Sequence, residues 1–158
     1  MNFTSTKDVL NQMVADLSQM SMVIHQTHWY MRGFGFLYLH PLMDDYKAEI
    51  DDQLDIVAER LVALNGSPVS TLQEISEKTK ISSEPGTYDK PMSELLNNLL
   101  TDYKYLDNLY TNGIKISGDE NDFASQDIMI TFKELLEKRI WMISAQLKNN
   151  CHHHHCSK

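Results

Sequence analysis

The chain has 158 residues, 42% hydrophobic and 23% charged, which suits one globular domain with a real core and leaves little room for two. Twenty-two Asp and Glu oppose 14 Lys and Arg, for a formal charge of -8. That balance disfavours binding to a phosphate backbone and favours metal cations as partners. No apolar run reaches the roughly 18 residues of a membrane span, and residues 1–20 lack a secretory signal, so the expectation is a cytoplasmic protein without a membrane partner.

The elements read as helices nearly throughout. Thr4 or Ser5 is placed to cap a first helix whose apolar stripe is Val9, Leu10, Met13, Val14, Leu17, Met20 and Ile24. It is expected to end near Met31, before Gly33 and Gly35. A second helix is predicted from Phe36 to Leu64, with Pro41 tolerated in its opening turns and Asn65-Gly66-Ser67-Pro68 as the stop. Residues 69–91 form a long connection in which Thr71 and Glu74 predict a capping box for a short helix. A third long helix is expected over 92–116, an acidic turn over 117–122, and a fourth over 123–148. The fold class is all-α: four long helices, with a crossover between the second and third long enough to run those two parallel.

The chain has seven histidines, four of them in the last eight residues, which leaves His25, His28 and His40 in the body. His40 and Asp44 are spaced i, i+4, and Asp55 and Glu59 repeat that spacing. The eleven residues from Asp44 to Asp55 make about three turns, so all four groups share one stripe of the second helix. Carboxylates on such a stripe are ordinarily a solvated face, and Glu49, Asp51 and Asp52 read that way. His40 changes the balance, and the short link at 32–35 folds His28 back toward it. Imidazole with carboxylate suits iron, zinc or manganese. Asp44 and Asp55 lie ~16 Å apart along a helix, and a metal bonded at ~2 Å cannot bridge them. If both pairs bind metal, they are half-sites, and two chains about a twofold axis complete each other.

The stretch from His28-Trp29-Tyr30 through His40-Pro41-Leu42-Met43-Asp44 to Asp55-Ile56-Val57-Ala58-Glu59-Arg60 resembles the Dps family of miniferritins, most of all its streptococcal peroxide-resistance branch, Dpr. The family pattern is His, twelve on His, four on Asp, eleven on Asp, four on Glu, and this sequence keeps every interval. The likeness runs from about residue 8 to residue 148. It implies a ferritin-like four-helix bundle with a short extra helix in the crossover, assembled as a hollow homododecamer. It implies a ferroxidase centre at each twofold interface, with His28, His40 and Asp44 from one subunit and Asp55 and Glu59 from another. There Fe(II) is oxidised, typically by hydrogen peroxide, and ferric mineral collects inside, protecting against oxidative stress. Trp29 follows the first ligand as in the family, where it packs beside the iron site; a packing aromatic is the plainer reading. Asp122 and Asp127 correspond to carboxylates of a threefold pore that draws iron inward, although Asp122 also fits a helix cap.

Many members of the family bind DNA through a lysine-rich N-terminal extension. Here Lys7 is alone among the first 31 residues, so DNA binding is not expected. A DNA-compacting protein with incidental iron chemistry and a purely structural helical oligomer are the competing readings. The tract Cys151-His152-His153-His154-His155-Cys156 stands outside the family pattern. Its composition suits zinc, nickel or cobalt, and its two thiols suit a disulfide equally. The expected organisation is therefore a ferritin-like domain over 1–150 and a Cys/His-rich tail over 151–158.

Overall fold

The structure, a computed structural model, describes residues 2–150, with side chains to Lys148. Every element among these residues is helical: α1 Thr4–Tyr30, α2 Phe36–Ala63, α3 Leu72–Lys78, α4 Met92–Asp119 and α5 Phe123–Asn150. The stripe predicted for α1 is buried from Val9 to Ile24. It packs chiefly against α2 and, less extensively, against α4, while α4 pairs most closely with α5. Removing such a stripe from water is the main source of stability for a helix of this length.

The ends follow from local chemistry. Gly33 and Gly35 take φ of 98° and 86°, a left-handed backbone that costs glycine nothing and lets α1 reverse into α2 within five residues. Asn65 and Asn121 take φ of 59° and 61°, and asparagine is the side chain that tolerates this conformation best. Each closes its helix by a paired C-terminal motif. After α2, Asn65 N–H donates to Val62 O and Gly66 N–H to Leu61 O, both at 2.9 Å. After α4, Asn121 N–H donates to Gly118 O at 3.0 Å and Asp122 N–H to Ser117 O at 2.8 Å. The predicted acidic turn is accordingly shorter than expected: α4 continues to Asp119. Gly113, deep in α4, allows a close approach of three helices, because a Cβ there would stand 2.5 Å from Met129 Sδ and 2.8 Å from Met13 Cε.

The expected cap of α1 is corrected. Phe3, not Thr4 or Ser5, occupies the N-cap position, and its side chain makes no capping hydrogen bond. Glu120, at the α4–α5 turn, supplies the acceptors instead: Ser5 N–H and Thr6 N–H each donate to it at 2.9 Å, and Thr6 Oγ1 donates at 2.7 Å. This contact puts the end of α4 beside the start of α1, so α4 runs antiparallel to α1 and parallel to α2. The predicted capping box of α3 is present on Thr71 and Glu74. The crossover is fastened by the fully buried Asp16, whose carboxylate accepts from Thr79 Oγ1 and Lys80 N–H at 2.8 Å, Tyr105 Oη at 2.6 Å and Gln12 Nε2 at 3.0 Å. A buried carboxylate is tolerated when its lone pairs are met this fully.

The Glu120 pKa is lowered from 4.5 to about 2, chiefly by the Thr6 hydroxyl, against an opposing effect of burial, with the Thr6 and Ser5 N–H groups adding. A depressed carboxylate stabilises the fold above its unfolded pKa, and the effect disappears as pH falls through the folded one. Glu120→Gln is expected to unfold at lower urea concentration than wild type. That gap stays constant above about pH 4.5 and closes toward about pH 2; urea titrations at several pH values measure it, and a gap independent of pH contradicts the capping role.

Candidate metal centre

His28 lies in the last turn of α1, where backbone carbonyls have no helical partner. His40 lies in the second turn of α2, and the glycine link brings the two rings into a stack, centroids 3.6 Å apart and planes within 10°. Each ring bonds the other residue's backbone: His28 Nδ1 to His40 O at 2.6 Å and His40 Nδ1 to His28 O at 2.8 Å. Carbonyl oxygen only accepts, so both Nδ1 atoms carry the proton. In the neutral rings the Nε2 lone pairs are thereby left for a ligand, which is the arrangement metal-binding histidines use. Phe36 closes the outer face of His40 with centroids 4.8 Å apart.

Asp44, one turn beyond His40, holds a carboxylate oxygen 3.6 Å from His28 Nε2. The His28 side chain is 13% exposed and that of Asp44 65%, so the group opens outward. The structure therefore sets His28 between His40, stacked on its ring, and Asp44, near its Nε2. It leaves Asp55 and Glu59 exposed farther down α2, about 16 Å and about 22 Å from Asp44 by helical rise. Among the described residues no three His, Cys, Asp or Glu side chains converge within the chain to hold a metal ion. What one chain presents is two open part-sites on the same helix.

Trp29 is 54% exposed, so within the chain it is not a core aromatic. Its indole lies over His25 with centroids 3.9 Å apart, and His25 stands 6.0 Å from His28. The pore expectation needs correction at one residue. Asp122 is 2% exposed, and its carboxylate accepts from Arg60 Nη2 at 2.7 Å and Ser125 Oγ at 2.6 Å. A side chain buried inside one subunit is no more accessible in an assembly, so Asp122 does not line a pore; it caps α5 and pairs with α2. Asp127 is exposed. The cysteines and histidines of 151–156 lie outside the described residues.

Sequence reasoning did not single out Arg60, which follows Glu59 directly. Its Nε also donates to Ser125 Oγ at 2.8 Å, so the end of α2 that carries Asp55 and Glu59 is tied to the start of α5. The available signal was an arginine beside a carboxylate in a helix, which is too common to single out. Asp122→Ala strands the Arg60 charge, and losses of about 3 kcal/mol are expected for such half-broken pairs. A denaturant titration of the variant checks this, and a loss within about 0.5 kcal/mol, the range of surface substitutions, contradicts the pairing.

A family described as a ferritin-like domain matches residues 7–150. Over 146 residues the chain is 43% identical to the DNA protection during starvation protein of Streptococcus suis, covering 92% of this chain and 85% of that one. It is 42% identical over 146 residues to the protein of the same name from Listeria innocua, covering 92% and 94%. Its structure superposes on that of Dps from Listeria monocytogenes with a TM-score of 0.89 at 43% identity, covering 90% of this chain and 93% of that one.

Proposed function

The chain belongs to the Dps family of ferritin-like proteins, and from that premise we propose that it oxidises Fe(II) at centres shared between two subunits and stores the ferric product in a hollow dodecamer. The observation that carries this reading is the reciprocal His28–His40 lock, which leaves both Nε2 lone pairs for a ligand, that of His28 3.6 Å from the Asp44 carboxylate. Two imidazoles and one carboxylate suit ferrous iron and leave coordination positions open. Asp55 and Glu59 of a second subunit supply the remaining carboxylates, which a twofold axis brings opposite the first set.

Hydrogen peroxide is the oxidant in this account. One peroxide takes an electron from each of two Fe(II); its O–O bond breaks, and with two protons the products are two Fe(III) and two waters. Pairing the electrons in this way releases no hydroxyl radical, which is the protective value of the chemistry in the cytoplasm. Asp127 gathers incoming iron at a threefold pore, and Trp29, close to His28 through His25, intercepts stray oxidising equivalents. The net charge of -8 gives no electrostatic pull toward DNA, so protection proceeds by removing iron and peroxide. The tract 151–156 follows the matched domain, which ends at residue 150, and serves as a separate site for zinc or a similar divalent metal through Cys151, His152, His153, His154, His155 and Cys156.

Anaerobic Fe(II) oxidation on adding hydrogen peroxide, recorded with particle mass, tests the assignment. Asp55→Ala is expected to keep the dodecamer and lose at least about tenfold in rate, equal to about 1.4 kcal/mol of barrier. A chain cut after residue 150 is expected to keep the rate and lose the additional zinc bound through residues 151–156. An unchanged rate in Asp55→Ala contradicts the shared centre.

A further inference from the structure

The C-terminal half of α1, the crossover and the first turns of α4 line a cavity of about 350 Å³, within the size range of small-ligand pockets. Val23, Leu95 and Leu99 give it an apolar floor. Glu94, Asn98 and Asp102, each four residues on from the last, form one wall along α4. The crossover forms the facing wall and is pinned to α1 where Gln26 Nε2 donates to Glu84 O at 2.8 Å. Asp102 is half-buried in this cavity. Burial, with no compensating donor among the described residues, pushes its pKa up from 3.8 to about 6.

A carboxylate taken partly out of water without a donor lacks a counter-charge, and a bound cation supplies one. The other charged groups lining the cavity are Glu84 and Lys90 from the crossover and Glu94 from α4 itself, while α1 contributes none. Lys90 stands at the end shared with a smaller cavity beside Tyr30 and Pro85. The balance is acidic, which rejects anions. A metal ion also fits poorly, because no three acidic, His or Cys groups among the described residues converge to hold one.

We propose that this cavity binds a small aliphatic amine, with its ammonium group on the Asp102 carboxylate and its hydrocarbon on Val23, Leu95 and Leu99. An ammonium carries three donors; Asp102 takes one, and the neutral oxygens of Asn98, Thr101 and Ser82 line the same space. A ligand of this size has room for affinity in about the millimolar range. Because the ammonium needs the ionised carboxylate, binding is full above the free Asp102 pKa and fades as pH falls through about 6.

The test is calorimetric titration of the assembled protein with n-butylamine, with n-butanol as the uncharged isostere. Saturable binding of the amine at about pH 8, weakened about tenfold at about pH 5 and absent for the alcohol, is expected. Asp102→Asn removes a charge that burial disfavours, so it keeps the fold and particle mass while losing the amine. Equal binding by Asp102→Asn means diffuse attraction to an acidic surface and overturns the proposal. So does failure of n-butylamine to saturate the wild-type protein, or equal affinity at the two pH values, and these last two readings need no variant.

Discussion

Two imidazole rings, each donating Nδ1–H to the other residue's backbone carbonyl, fix the geometry on which the rest of the candidate centre depends. One bond satisfies a carbonyl that the end of α1 leaves without a helical partner. Together they set both tautomers, hold the rings in a stack and place His28 Nε2 beside Asp44. The link at residues 31–35 must therefore be short and must turn through left-handed backbone, which is why glycines occupy 33 and 35. A longer or stiffer link would separate the rings and with them the ligand set.

The opposite end of the bundle is held by different means. Glu120 gathers the first N–H groups of α1, and the Arg60–Asp122–Ser125 network joins the end of α2 to the beginning of α5. Direct packing between α2 and α5 is slight beside that of the two helical hairpins, and alongside the Arg139–Glu49 pair nearer mid-helix this network joins the two helices. It also governs where Asp55 and Glu59 sit, since they occupy the two turns just before Arg60. The histidine end and the carboxylate end of α2 are each locked by contacts within the subunit, and the long helix between them holds both at a fixed separation. A rigid spacing of this kind suits a partner that carries the same two part-sites in the reverse order.

Much of the fold is legible because the helices signal themselves locally. The stripe from Val9 to Ile24, the Thr71–Glu74 capping box and the Asn65-Gly66 stop each depend on residues within a few positions of one another. The spacing of His28, His40, Asp44, Asp55 and Glu59 is equally local, and it fixes which side chains share a helix face. What local reading misses is long-range. Glu120 caps a helix that begins more than a hundred residues earlier in the chain. Asp122 satisfies both rules for a cap and rules for a pore, and only the approach of Arg60 decides between them. The ring-to-backbone bonds of His28 and His40 depend on the path of the link, which residue types alone do not specify.

The central claim is that one metal centre needs two chains, and mixed assembly tests it most directly. His40→Ala damages one part-site and Asp55→Ala the other, so a particle of either variant alone holds no intact centre. When the two variants are unfolded, mixed and reassembled together, each mixed pair regains one centre built wholly from undamaged part-sites. Random pairing then restores on the order of a quarter of the wild-type rate of peroxide-driven Fe(II) oxidation. No recovery, in mixed particles of the correct mass, would contradict the account, because a centre contained within one chain stays broken in every subunit of the mixture.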